Sequence, residues 1–404
     1  MMGVLNDVWQ GIVKCVTVLV KLFSVPFNKI LYAPAVYAVE DTYQIVWYTT
    51  AKSVAWVEIG GRRYYDAAAG NIRSGRKIHK VTVPMAVLDT EKSYSVHAKG
   101  TYIHHGYFAL KGREVSKSYG FRPVENRAPL RFQHISDTHN QSVWALRSAQ
   151  YFGEKLDFIL LNGDIANGAE SRREFLKILK IAGNAAKGEI PVVYARGNHE
   201  NRGPAAAELA QYTGCSGAGN FYFEVRLGPV WMLVLDCGED KEDGHREYSG
   251  MVDFAVYRER EEQWLDAVLA RPAESYRAEG VGYRILVCHI PFNVLNSPEP
   301  ERYTRWAEKL NAAGFDFAIH GHTHTCHFLE PGELLAKPDE ISLAEVNASH
   351  SPTIIGSAPC DISKGCAKGH TTTAVELRPD IITARLVNQD LESCGEYTIQ
   401  RTEP

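Results

Sequence analysis

Between Phe317 and Phe328 the chain reads FAIHGHTHTCHF, with histidines at 320, 322, 324 and 327. Imidazoles at this density suit a metal site, yet one loop rarely supplies four ligands, so other stretches must complete it. HISDTHN places Asp137 and His139 two residues apart, able to face one side of an extended segment. LLNGDIAN puts Asp164 after an apolar run and a glycine that permits a tight exit. ARGNHEN offers Asn198 and His199, VCHIPF offers His289, and HGHTH offers His322 and His324. Each alone reads as well as a turn or a structural histidine. Five in order, each at the end of a β-like run, fit a ligand set of Asp, Asn and His. Such donors suit Mn²⁺, Fe or Zn²⁺, without the thiolates of a structural zinc site.

The elements that must position these residues fall into two patterns. At 404 residues the chain is too long for one ordinary domain. Over residues 31–127 short runs such as YQIVWYTT, AWVEIG, KIHKVTVP and SYSVHAKG are rich in β-branched and aromatic residues, which predicts a β-sandwich. PVENRAP, with two prolines around polar residues, reads as a linker. From residue 128 to 404 strand-like and helix-like runs alternate, as in LRFQHISD, SVWALRSAQYFGEK, LDFILLNGD and SRREFLKILKIAGNA, which predicts an α/β domain. Ligand sites of such domains gather at strand ends.

Residues 1–30 form a third piece. Val4, Leu5, Val8, Trp9, Ile12, Val13, Val16, Leu19, Val20 and Phe23 recur at helical spacing, with Asp7, Gln10, Lys14, Thr17 and Lys21 on the other stripe. Lys14 and Lys21 argue against a membrane span, and the helix is expected to dock on its own protein or on a membrane surface. The formal charge is −4 with no Lys/Arg-dense run, so no nucleic-acid patch is expected. Eight cysteines without a CxxC pair point to a reducing compartment, and a cytoplasmic location is expected.

The ordered motifs DTH, GDIAN, GNHE, a lone His289 and GHTH resemble the signature of the calcineurin-like metallophosphoesterases over roughly residues 130 to 404. The resemblance implies a four-layer α/β/β/α sandwich with a dinuclear centre of two divalent ions. Asp137, His139 and His324 would hold one ion, Asn198, His289 and His322 the other, and Asp164 would bridge them. It also implies in-line attack on phosphorus by a metal-bridging hydroxide, with His199 acting on the leaving group. Two ions, two carboxylates and a hydroxide leave a formal charge of about +1, attractive to a phosphoryl oxyanion. The substrate would be a phosphomonoester or phosphodiester, as a small molecule or otherwise. The other reading is a non-catalytic binding scaffold, which should have lost ligands, whereas all seven and His199 are present.

The preceding β-domain, fibronectin-III-like in kind, together with VLDCGED, resembles the arrangement of purple acid phosphatases. Those enzymes carry glycine at the position of His139 and a tyrosinate ligand at that of Asn167, so the resemblance stops short of their iron chemistry. Many family members carry Asp at position 167, where it orients the GNH histidine. Asn167 therefore predicts a supporting role without charge, with a preference for good leaving groups or an acidic optimum. His320 is expected to support or pack, His327 and Cys326 to be bystanders, and Cys288 to face the core. GEDKEDGHREYSGMVDFAVY, with Tyr248 and Tyr257, reads equally as a substrate entrance or a surface excursion.

Overall fold

Alternation along three strands sets the layers. In Val230–Leu235, Val230, Met232 and Val234 enter one core while Trp231, Leu233 and Leu235 enter a second. Tyr283–Cys288 divides in the same way, Ile285 and Val287 against Leu286 and Cys288, and Phe317–His320 sends Phe317 and Ile319 one way and Ala318 the other. Successive side chains of a strand point to opposite faces, so this sheet must be covered on both sides. The computed structural model, which describes residues 2–68, 70–73, 75–105, 108–292, 299–333, 350–359 and 369–401, shows what covers it.

The helices are α1 (Met2–Phe27), α2 (Met85–Glu91), α3 (Ser142–Ser148), α4 (Arg172–Ala186), α5 (Phe254–Leu269) and α6 (Pro300–Ala313). Leu265 and Val268 of α5 and Tyr303, Trp306 and Leu310 of α6 fill the second core. The first core lies against another sheet, in which Leu130–Ile135, Phe158–Asn162 and Val192–Ala195 run parallel and are almost wholly buried. Helix α4 covers that sheet's far side with Phe175, Ile178, Leu179 and Ala182, and α3 lies beside it. Ser171 starts α4 by accepting the Arg173 N–H. The order is α/β/β/α, as the resemblance implied.

The N-terminal strands build two small sheets around one long strand, Thr42–Ile59. Its first half pairs with Ala35–Val39 and Arg76–Pro84; its second half pairs with Arg62–Tyr65 and Ser93–His105, and Phe108–Gly120 adds the edge. The register breaks between Tyr48 and Ser53, where the strand passes from one small sheet to the other. The arrangement is that of a sandwich with a shared strand. Ala35–Val39 also pairs in parallel with Val192–Ala195 through Tyr37 and Val192, so the sheet of the α/β half continues into the β-rich half.

Candidate metal centre

Parallel strands of both sheets end at one place. Leu130–Ile135 leads to Asp137 and His139, Phe158–Asn162 to Asp164, Val192–Ala195 to Asn198 and His199, Tyr283–Cys288 to His289, and Phe317–His320 to His322 and His324. Asp137, His139, Asp164, His322 and His324 all take left-handed backbone conformations, with φ of 52°, 41°, 52°, 70° and 55°. Non-glycine residues seldom adopt them, and such strain collects where side-chain placement matters more than local stability. Gly163, at φ 75°, makes the tight exit before Asp164, and a Cβ there would sit 2.5 Å from the His289 ring. At Gly321 a Cβ would meet Ser136 Oγ at 1.9 Å, so this glycine serves close approach.

The donors form two groups that share Asp164. Asp137, His139, Asp164 and His324 converge in one, and Asp164, His289 and His322 in the other. In the first, His139 Nε2 lies 2.8 Å from His324 Nε2 and 3.8 Å from Asp164 Oδ2, and His324 Nε2 lies 3.5 Å from Asp137 Oδ1. In the second, His289 Nε2 lies 3.4 Å from Asp164 Oδ2. His289 Nδ1 donates to the Asn162 carbonyl at 2.6 Å, and its buried Nε2 has no hydrogen-bond partner. Burial alone would depress the His289 imidazole, but Asp164 and Asp137 outweigh it and hold its pKa at about 10. Burial, with Asp164 nearby, raises Asp137 to about 6. Burial lowers His139 to about 4.

Asn198 completes the second group. Its Nδ2 donates to Glu239 Oε1 at 2.9 Å, which turns Oδ1 toward His322 Nδ1, 3.2 Å away. The other ring nitrogen of His322, Nε2, is 2.9 Å from Asp240 Oδ2. With the Nε2 proton on Asp240, a neutral ring aims the Nδ1 lone pair at the Asn198 oxygen lone pair. In that tautomer the two lone pairs face one space, where a divalent ion would take both. Together with the orphaned His289 nitrogen, this donor set fits a divalent metal.

Residues 130–326 match the family model of the calcineurin-like phosphoesterases. The chain carries a calcineurin-like phosphoesterase domain. Domains of this family are hydrolases of phosphoesters that work with divalent metal. Among solved structures, purple acid phosphatase PPD1 from yellow lupin (Lupinus luteus) seeds is similar over 93% of this chain and 75% of that one, with 13% identity and a TM-score of 0.57. PhoD is similar over 91% of this chain and 88% of that one, with 13% identity and a TM-score of 0.52. These two likenesses concern the fold, the leading β-rich half included. No curated protein sequence matches the chain.

Around the phosphoesterase donors stand groups that sequence reasoning passed over. Glu200 is fully buried and accepts the main-chain N–H groups of Asp164, Ala166 and Gly197, tying two ligand loops together. Glu239, also fully buried, holds Asn198, Arg202 and the Tyr248 hydroxyl. Against the effect of burial, His322 and Lys241 keep the Asp240 carboxyl below the usual carboxylate range. Arg202 donates to His199 Nε2 at 2.9 Å. Of the segment after Asp236, which read equally as a substrate entrance or a surface excursion, Glu239, Asp240 and Tyr248 stand beside Asn198 and His322.

Asn167 does not act as its position suggested. Its side chain is exposed, and its main-chain carbonyl, 3.2 Å from His199 Nδ1, orients that ring. The main chain thus does the orienting, and the charge that an Asp would bring to position 167 is absent, so the preference for good leaving groups or an acidic optimum stays an expectation. His320 is buried, bonds the Cys288 carbonyl through Nδ1 at 2.8 Å, and stacks edge-on to Phe292, a packing position behind His289. Cys288 lies in the core under α5 and α6. His327 and Cys326 stand outside both donor groups.

Proposed function

We propose that the chain hydrolyses phosphoesters at a dinuclear centre held by the two donor groups. Asp137, His139 and His324 would hold one ion, Asn198, His289 and His322 the other, with Asp164 between them. Bound there, Mn, Fe or Zn ions would supply Lewis-acid polarisation of a phosphoryl oxygen and acidify the attacking water. The protein's part is to fix seven donors on strand ends before substrate arrives, so little reorganisation accompanies reaction. Neutral Asn198, in place of a third carboxylate, keeps the centre cationic toward a phosphoryl oxyanion.

On the leaving-group side, His199 and Arg202 act as a pair. The Asn167 carbonyl fixes His199 Nδ1 as donor, and Arg202 occupies Nε2. The guanidinium, itself steadied by Glu239, stands where negative charge would develop on the departing oxygen. His199 would act as acid from Nε2 only after Arg202 yields that nitrogen and it takes up a proton from solvent, the Nδ1–H staying on the Asn167 carbonyl; that proton then passes to the departing oxygen.

The observation that carries this reading is the sharing of Asp164 by two convergent donor groups. Its test is metal content per chain, with hydrolysis of a chromogenic monoester and diester after loading with Mn²⁺, Fe²⁺ or Zn²⁺. About two ions per chain and metal-dependent turnover are expected. A chain that binds no metal and gains no activity from any of the three would be a scaffold, and the reading would fall.

A further inference from the structure

Helix α1 presents a largely exposed apolar face. Among the described residues, eight of the sixteen exposed large apolar side chains lie on it: Leu5, Val8, Trp9, Ile12, Val18, Leu19, Leu22 and Phe23. Leu5, Leu22 and Phe23 keep 63%, 68% and 63% of their surface. The helix rests on the strand Phe108–Gly120, and its half-buried residues are Val13, Val16, Thr17 and Val20. At about 100° per residue, all the exposed apolar residues except Val18 fall in one arc of about 140°, beside the docked stripe, while Asp7, Lys14 and Lys21 fall opposite it. No helix among the described residues is long and apolar enough to cross a membrane.

We infer that α1 lays this arc into the surface of an anionic lipid bilayer and holds the phosphoesterase domain there. A helix with one broad apolar face and a charged one lies in the interfacial plane, its apolar side chains among the acyl chains. The local charge suits anionic headgroups. Residues 1–31 carry Lys14, Lys21 and Lys29 against Asp7, and the strand beneath carries Lys111, Arg113 and Lys117 against Glu114. Each segment is thus +2, three cations less one anion, on a chain whose formal charge is −4.

The test is co-sedimentation of the full chain with phosphatidylcholine vesicles and with vesicles that also contain phosphatidylserine. Pelleting with the serine lipid, at least about tenfold stronger than with choline lipid alone, is expected. The pair I12D/L19D should weaken that binding by roughly 100-fold or more, and K14E/K21E by about 25-fold, some fivefold per lysine. Both variants change exposed residues and should unfold at the wild-type temperature, a control independent of the hydrolase reading. No pelleting, equal pelleting on both vesicle types, or binding that survives I12D/L19D overturns the inference. So does a concentration-dependent dimer that I12D/L19D dissolves, which would assign the face to a second copy.

Discussion

The bond from His322 to Asp240 decides which ring nitrogen faces the centre. With Nε2–H on the carboxylate, Nδ1 is left for the shared space beside Asn198. Carboxylates in this position fix the tautomer of a metal-binding histidine, and their loss typically costs 10- to 100-fold. D240N should therefore lower metal affinity and kcat/KM by about 10- to 100-fold without lowering thermal stability, checked by calorimetric metal titration and steady-state kinetics. The proposed direct donors should matter more. H322A and H324A should each reduce kcat/KM by roughly 10³-fold or more, since several kcal/mol of charge stabilisation goes with the ion. H327A, whose ring bonds only Thr325 among the described contacts, should match wild type. The candidate donors could be picked out because each follows an apolar run and a local motif. Glu239 and Asp240 were not, since GEDKEDGH has the composition of a solvated loop and only the folded chain buries Glu239 under Arg202 and Tyr248.

Strand ends fix where the donors stand; the strands themselves fix how firmly. In the β-rich half, Arg76–Pro84 carries His79 at its centre, wholly buried, with Nε2 2.9 Å from Thr49 Oγ1 and Nδ1 3.6 Å from Asp66. Burial lowers its pKa, with Asp66 offsetting only part of that effect. The folded state thus refuses a proton that the unfolded chain accepts below about pH 6.5. The unfolded state then binds more protons, so stability falls as pH drops through that value toward the lower folded pKa. Urea midpoints measured from pH 7 to pH 5 should decline less steeply in H79Q than in wild type, by up to about 1.4 kcal/mol per pH unit. Equal slopes would show that His79 takes its proton in the folded state. At this scale the alternating runs revealed most strands. YQIVWYTT and AWVEIG, however, read as two strands, and the structure joins them as Thr42–Ile59. The bend between Tyr48 and Ser53 depends on partners at distant positions, Ile78 and Arg76, which no local pattern names.

Over the whole molecule, the β-rich half and the phosphoesterase domain share a sheet. Ala35–Val39 is fully buried between Val192–Ala195 and Thr42–Ile59, so it is an interior strand of both halves. Side chains reinforce the junction. Gln44 exchanges two hydrogen bonds with the main chain of Cys215, and the half-buried Lys80 ammonium donates to the carbonyls of Ala210 and Thr213. Gly183 of α4 is packed so closely on the Ala33 carbonyl that a Cβ there would lie 2.1 Å from it. The change of grain near PVENRAP was legible because composition is local; the pairing of Ala35–Val39 with Val192–Ala195 was not, because contact between residues 37 and 192 leaves no trace in either segment alone. Removing residues 1–127 would strip the Val192–Ala195 strand of a neighbour and uncover Phe175 and Tyr194, both buried in the same core. An exposed apolar strand edge pairs with other chains. The truncated chain should therefore aggregate and lack activity, whereas removing residues 1–30 should leave a soluble enzyme. Calorimetry of the full chain should show one transition for both halves, with its calorimetric and van't Hoff enthalpies in agreement. Two separated transitions, or an active and soluble fragment starting at residue 128, would mean that the shared strand does not couple the halves.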